Sequence, residues 1–168
     1  MSPLYTVPML ETRAATAADA ALIAAHRRAM FAEIGGYDES ALDTLRRAAE
    51  PWTARMIEAG KYLGWITTDG VLPAASAGLL ILDWPPHPLD PTGENRGYLL
   101  NVFVESGYRR RGLARELVGH CLSGAARRNI CVVTLHASNA GRPLYDNLGF
   151  RTTNEMLYAQ PAGNCSTP

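Results

Sequence analysis

The segment from residue 109 to residue 114 has the order Arg-Arg-Arg-Gly-Leu-Ala. It follows a strand-like apolar stretch and precedes an amphipathic one, so a strand runs here into the first turn of a helix. Backbone N–H groups at a helix N-terminus have no intrahelical partner, and the helix dipole favours negative charge there. Gly112 and Ala114 let a phosphate come close to the backbone. The added positive charge comes from Arg109, Arg110 and Arg111. The pattern therefore predicts a site for a diphosphate ligand.

The arginine run has two other interpretations. Runs of like charge are typical of solvated surfaces, and the run alone does not exclude that. A nucleic-acid interface would need a second basic cluster with interleaved aromatic residues, which the chain lacks. The strand-to-helix context and the distance to Gly112 favour phosphate.

Composition narrows the class of protein. The chain has 168 residues, 47% hydrophobic and 19% charged, with a net charge of zero. These values predict one globular domain and give no global positive field that would attract DNA or a membrane. No apolar run is long enough to span a bilayer, and the first ten residues do not resemble a secretory signal. The three cysteines lack CxxC spacing, which favours a reducing cytoplasm over a disulfide framework or a zinc site.

The elements that would position the arginine segment follow from periodicity and from turn residues. Strands are expected at Leu10–Arg13, Tyr62–Thr68, Val71 or Ala74 to Leu82, Tyr98–Val104, Ile130–Leu135 and Phe150–Tyr158. Helices are expected from Thr16 towards Glu33, from Asp38 to Ile57, at Leu113–Ala126 and at Arg142–Asn147. Pro51 predicts a kink in the second helix or two short helices there. Asp69 and Gly70 predict a hairpin turn, and the four prolines between residues 83 and 96 predict a loop.

The chain resembles the GNAT superfamily of acyl-CoA-dependent N-acetyltransferases. Their signature is Arg or Gln, two residues, Gly, one residue, then Gly or Ala, and residues 109–114 match it. Val102-Phe103-Val104 upstream and the LYDNLGF segment from Leu144 to Phe150 extend the likeness, as does the opening ETRAATAADAALI. The resemblance covers the whole chain.

The resemblance implies an α/β fold: a mixed central sheet of about six to seven strands, splayed into a V at the cofactor site, with about four helices. It implies a single domain over residues 1–168, with loose termini at 1–8 and 161–168. The cosubstrate would be acetyl-CoA, with no metal. The partner would be a small-molecule, peptide or protein amine, with no nucleic acid and no membrane; a homodimer is left open.

The resemblance also implies roles for individual residues. A bulged strand would bind the pantetheine arm through the backbone of Val102, Phe103 and Val104. Arg109 would add charge, and the pyrophosphate would be held by backbone N–H groups of Arg110, Arg111, Gly112, Leu113, Ala114 and Arg115. Tyr145 would protonate the leaving thiolate, since a phenol and a thiol of coenzyme A have similar basicity.

The general base is left open, because Leu100 stands where many relatives carry a strand glutamate. Asn101 beside it could orient a water but cannot take a proton. The remaining candidates are Glu105, Asp83, Glu155, His136 and water itself. The four histidines, His26, His87, His120 and His136, do not form a metal set.

A second departure concerns the asparagine that many relatives carry seven residues before the tyrosine. Seven before Tyr145 is Ser138, with Asn139 one residue late. The spacing favours Ser138 as the cofactor contact, while Asn139 could cap the short helix that has Pro143 in its first turn.

The substrate would approach between the early helices and the proline-rich loop. Large apolar residues there are Met30, Phe31, Tyr37, Trp52 and Trp84, and carboxylates that could attract a cation are Asp38, Glu39, Asp83 and Asp90. The favoured function is acetyl transfer to a primary amine by direct attack in a ternary complex, since no cysteine lies in the motif. The alternatives are a non-catalytic acyl-CoA-binding or regulatory protein and, from the arginine run, a nucleic-acid binder.

Overall fold

The computed structural model describes residues 9–159, which divide into two compact units. The first unit extends to His136 and the second begins at Ala137. The predicted loose termini lie outside the described residues, and the single-domain interpretation stays a prediction. The strands, all in the first unit, are β1 (Leu10–Ala14), β2 (Tyr62–Asp69), β3 (Leu72–Asp83), β4 (Asn95–Val104) and β5 (Val133–Thr134). The helices are α1 (Ala20–Ile34), α2 (Glu39–Glu58) and α3 (Leu113–Ala126) in the first unit and α4 (Arg142–Asn147) in the second.

The sheet is mixed, as predicted. Its strand order is β1-β2-β3-β4-β5, with antiparallel pairs up to β4 and a parallel pair of β4 with β5. The predicted number of six to seven strands is wrong, because residues 9–159 hold five. The expected strand Ile130–Leu135 is reduced to Val133–Thr134. The expected strand Phe150–Tyr158 does not form, and its last apolar side chains, Met156, Leu157 and Tyr158, are exposed, Met156 to 93%.

Alternation along β2 separates the helices of the first unit onto two faces of the sheet. Tyr62 and Ile66 form a core cluster with Ile23 of α1, and side chains of α2 pack against this cluster. The ring of Trp65, on the opposite face, stacks on His120 of α3 with the ring centroids 6.1 Å apart. Successive side chains of a strand point to opposite faces, which places α1 and α2 on one side and α3 on the other.

The two helices on the first face begin at acidic residues. Before α1, at the 3-10 turn Ala17–Asp19, the Asp19 carboxylate accepts the backbone N–H of Thr16 at 2.7 Å. Asp38 caps α2, accepting the Ala41 N–H at 2.7 Å. A single helix continues through Pro51, so the alternative of two short helices is wrong.

Gly78 of β3 lies directly under the buried ring of Tyr62. A Cβ at this position would stand 2.1 Å from the Tyr62 hydroxyl oxygen. Replacing Gly78 by alanine should therefore lower the free energy of unfolding by roughly 2–3 kcal/mol, since a packed core does not absorb an added methyl. Urea denaturation measures the change. Gly119→Ala on α3, where a Cβ meets no atom within 4 Å, is the control and should be neutral or stabilising. An unchanged midpoint for Gly78→Ala would contradict the packing.

Candidate active site

The second half of β4 has an open edge towards β5. The register of β4 with β5 includes Gly97 and Tyr98 and ends there. On the other edge, Asn101 and Val102 together lie opposite the single residue Ala77 of β3, because Ser76 pairs with Phe103 and Gly78 with Leu100. This is a β-bulge, the predicted irregularity of the strand. After Tyr98, β4 is no longer paired with β5, and its bulge at Asn101 and Val102 bends it further. We call the gap between the two strands, beside residues 99–104 of β4, the fork.

Backbone groups of Val102 and Val104 point into this fork. The N–H of Glu105 donates to Ala74 O on the β3 side. Because backbone groups of successive strand residues alternate between the two edges, those of Val104 and Val102 face the other way. Phe103 between them pairs with β3, and its ring lies 5.0 Å from that of His26. Of the three residues predicted to bind pantetheine, the outer two therefore present their backbone groups to the fork.

The loop after β4 has the backbone of an anion-binding nest. Arg110 has φ +60° and Gly112 has φ +82°, so two left-handed residues flank Arg111 just before α3 begins at Leu113. Such alternation turns successive N–H groups into one concavity, and the helix N-terminus adds its dipole. No atom lies within 4 Å of the position a Cβ would take on Gly112. The nest thus leaves room for the pyrophosphate predicted there.

The arginine side chains in this loop and at the start of α3 differ in whether they have partners within the protein. Arg109 donates from Nε to Val104 O at 2.9 Å and pairs with Glu33 of α1 at 2.5 Å. Arg111 donates to Gly107 O at 3.2 Å. Within residues 9–159, the exposed Arg110 and Arg115 have no hydrogen-bond or ion-pair partner. Two of the four guanidinium groups therefore hold the loop in place, and two can meet an added anion.

Asn101 is the centre of a buried polar network at the bulge. It is 3% exposed and has φ +56°. Its Nδ2 donates to the Tyr62 hydroxyl at 3.0 Å, and its Oδ1 accepts from Arg27 Nη1 at 2.7 Å. Burial raises the pKa of the Tyr62 phenol, so the hydroxyl stays protonated. The amide that was predicted to orient a water instead links α1 and β2 to the bulge.

The imidazole of His136 lies where β4 and β5 separate. The Tyr98 hydroxyl, at the last residue of β4 that pairs with β5, is hydrogen-bonded to Nδ1 of His136. His136 follows β5 by two residues and is exposed. The pair lies at the point where the two strands separate.

The remaining predicted residues belong to the second unit. Ser138 Oγ accepts the N–H of Gly141 at 3.1 Å, so Ser138 rather than Asn139 caps the turn before α4. Pro143 lies in the first turn of α4, as predicted. Tyr145 is half-buried on α4, and its ring meets Phe150 edge-on with the centroids 5.8 Å apart.

The carboxylates that were considered as bases or cation sites mostly have other partners. Asp83 pairs with Lys61 at 2.6 Å. Glu105 lies 3.4 Å from Nε2 of His26, whose pKa is lowered by burial. Glu39 and Asp43 both bind Arg28. Glu155 is exposed in the second unit.

A cavity of about 270 Å³ lies between α1 and α2. Its lining consists of Arg27, Phe31, Tyr37, Ala41, Leu42 and Leu45. Phe31 and Tyr37 were predicted to be on the substrate side, and their rings meet edge-on with the centroids 5.6 Å apart. Met30, Trp52 and Trp84 are not part of the lining. Sequence reasoning missed Arg27, Tyr62 and Tyr98, because nothing local in the sequence shows that they converge on Asn101 and His136.

In the part of the chain that the structure describes, no group of three or more His, Cys, Asp or Glu side chains could hold a metal ion. No helix within residues 9–159 has the length and apolar character needed to cross a membrane.

Comparison with known proteins places the chain in a family. A family model described as "Acetyltransferase (GNAT) domain" matches residues 37–160. The ribosomal protein bS18-alanine N-acetyltransferase of Escherichia coli (strain K12) is 29% identical over 112 residues, covering 62% of this chain and 68% of that protein.

Two solved structures are similar along most of their length. A GCN5-related N-acetyltransferase from Ralstonia eutropha JMP134 has a TM-score of 0.85 at 35% identity, covering 90% of this chain and 99% of the other. A predicted acetyltransferase with acetyl-CoA from Clostridium acetobutylicum has a TM-score of 0.80 at 26% identity, covering 90% and 96%.

Proposed function

Because the chain belongs to the GNAT acetyltransferase family, we propose that it moves an acetyl group from acetyl-CoA to a primary amine by direct attack within a ternary complex. Proteins of this family are acyl-CoA-dependent N-acetyltransferases, and the chain is an enzyme of that class. The observation that carries the proposal is the continuity of the open β4 edge with the nest before α3. The unpaired edge of β4 presents backbone N–H and C=O groups, and the loop that follows it presents an anion-binding nest.

The residues of this edge and this nest suit the parts of acetyl-CoA. The backbone of Val102 and the N–H of Val104 would hydrogen-bond the pantetheine arm, since Val104 O already accepts from Arg109. Phe103 would anchor the strand between them. The N–H groups from Arg110 to Arg115 would hold the pyrophosphate, aided by the side chains of Arg110 and Arg115. Arg109 would act mainly through its bonds to Glu33 and Val104, and Ser138 is retained as a further contact.

The reaction requires one proton to leave and one to arrive. The amine nitrogen forms a bond to the thioester carbon, the carbon–sulfur bond breaks, and an amide and a thiol result. A backbone N–H of the bulged strand would stabilise the charge that develops on the carbonyl oxygen. Tyr145 would donate its phenolic proton to the departing sulfur, a role that the LYDNLGF motif supports.

His136 would receive the proton that the amine loses. It is exposed where β4 and β5 separate, and its Nδ1 is hydrogen-bonded to the Tyr98 hydroxyl, which holds the ring. When Nδ1–H donates in this bond, Nε2 has the free lone pair that accepts the proton. Arg27 of α1 interacts electrostatically with Tyr98 of this pair. The carboxylates Asp83 and Glu105 are weaker candidates for the base, since Asp83 is bound to Lys61 and Glu105 faces His26.

Replacing His136 by glutamine should lower kcat about tenfold at neutral pH, because water must then accept the proton. Initial rates with a saturating acceptor measure the effect. His120→Gln, which alters another imidazole of the first unit, should keep the wild-type kcat. An unchanged kcat in His136→Gln would remove His136 from this role.

A covalent acetyl-enzyme is not part of the proposal. Cys121 is buried in α3, where burial raises the pKa of its thiol to about 12, so it stays protonated. Cys131 is exposed but lies just before β5, with its thiol near Asn129 O at 3.8 Å. Direct attack by the amine needs neither.

The alternative that the sequence left open, a non-catalytic acyl-CoA-binding protein, would depart from the enzyme class of the family; the feature that favours it is Leu100 at the strand-glutamate position. Release of thiol from acetyl-CoA over a panel of amines, amino acids, peptides and aminoglycosides distinguishes the two. We expect release with at least one acceptor. Binding of acetyl-CoA without release from any acceptor would support the non-catalytic protein, and absence of binding would contradict both. A cytoplasmic location and a homodimer stay predictions.

A further inference from the structure

Arg27 is a half-buried cation without an anionic partner. The structure gives its guanidinium one hydrogen bond, from Nη1 to the neutral amide of Asn101, and a cation–π contact 5.0 Å from the centre of the Phe31 ring. Within residues 9–159, no carboxylate forms an ion pair with it. A guanidinium has five N–H donors, and burying it without a counter-charge is unfavourable. Burial accordingly lowers its pKa, yet arginine remains charged at neutral pH.

The same guanidinium lines the cavity between α1 and α2. The other lining side chains, including Phe31, Leu42 and Leu45, are apolar or aromatic. The cavity, about 270 Å³, is small for a drug-sized ligand. Because Arg27 also bonds to Asn101 at the β4 bulge, a ligand held by Arg27 lies beside the fork that would hold the thioester.

Neighbouring carboxylates do not turn this region into a cation site. Glu39 and Asp43 are both bound to Arg28, and Asp38 caps α2. The sequence suggested that Asp38 and Glu39 could attract a cation, but Asp38 caps α2 and Glu39 is paired with Arg28. The charge that faces the cavity is positive.

We propose that Arg27 binds a carboxylate of the acceptor, so that the substrate is a small amine carrying a carboxylate and an apolar side chain rather than a polycationic amine. A guanidinium matches a carboxylate with two parallel hydrogen bonds. The apolar walls favour a singly charged carboxylate on an apolar chain over a dianionic phosphate, because removing a dianion from water costs more free energy. This assignment rests on the proposed acetyl transfer, since it names the acceptor of that reaction.

The test compares acceptors that differ in one group. Leucine and leucinamide share an amine and a side chain, and only leucine has a carboxylate; phosphoethanolamine supplies the phosphate arm and kanamycin the polycation. The wild type should prefer leucine over leucinamide by about tenfold in kcat/KM, the value of one charge-assisted contact. Arg27→Gln should bring the ratio near one while acetyl-CoA binds as before, and Arg27→Lys should keep part of the preference. Arg28→Gln, next on the same helix, should keep all of it.

A second measurement does not depend on turnover. N-acetylleucine and N-acetylleucinamide are titrated calorimetrically into the CoA-loaded protein, and the carboxylate should bind about tenfold more tightly unless Arg27 is replaced. The assignment would be overturned if the two compounds bound equally, if neither bound, or if the preference survived in Arg27→Gln. It would also be overturned if turnover showed an Arg27-dependent preference for phosphoethanolamine or kanamycin. Arg27-dependent binding of N-acetylleucine without thiol release from any amine would support the carboxylate site while the proposed transfer fails.

Discussion

Replacing Tyr145 by phenylalanine is expected to lower kcat about a hundredfold or more, because general acid catalysis contributes on that scale. The phenylalanine keeps the aromatic ring, and with it the edge-on contact to Phe150. The Kd of acetyl-CoA should therefore change little. Steady-state kinetics with the best acceptor of the panel, together with calorimetric titration of acetyl-CoA, separate the two quantities.

The matched control for this variant is Tyr158→Phe. Tyr158 belongs to the same unit and is 78% exposed, and no catalytic role is assigned to it. Its turnover should equal that of the wild type. If Tyr145→Phe also turns over at the wild-type rate, the thiolate obtains its proton from another source and the acid assignment is wrong.

Replacing Gly112 by valine is expected to weaken acetyl-CoA binding about a hundredfold, the effect of losing two charge-assisted contacts. The side chain would occupy the open space beside the nest, and φ +82° is unfavourable for a β-branched residue. Calorimetric titration of acetyl-CoA measures the change.

Backbone strain alone must be separated from loss of the nest. Gly60, after α2, also has a left-handed backbone, with φ +68°, and open space around its Cβ position. Gly60→Val carries the same kind of strain outside the cradle and should bind acetyl-CoA with the wild-type Kd. Tight binding by Gly112→Val would mean that the pyrophosphate does not lie on this loop.

Local sequence signals predicted the elements that depend on near neighbours. Asp69 and Gly70 predicted the hairpin, and β2 and β3 meet there. The bounds predicted for α3 and α4 are those observed, since capping and helical periodicity are local properties. Phe150–Tyr158 was predicted wrongly because alternation describes a strand's preference and not whether a neighbouring strand pairs with it.

In the site, too, the features that depend on adjacent residues were predicted, and the contacts between distant residues were not. The glycine and the arginines predicted the nest, because its backbone depends on adjacent residues. The sequence did not reveal that Arg109 would turn to Glu33, 76 positions away. It likewise gave no indication that Asn101 would join Arg27 to Tyr62, since those contacts arise when α1 and β2 pack against the bulge.

The most direct test of the account follows the acetyl carbon itself. Acetyl-CoA labelled with ¹³C at the carbonyl is incubated with the protein and an accepted amine, and carbon NMR records the products as thiol is released. The account predicts that the label appears in the amide of the acceptor in step with the thiol, with no labelled protein. Label that stays in the thioester, collects as free acetate or remains bound to the protein would contradict direct transfer.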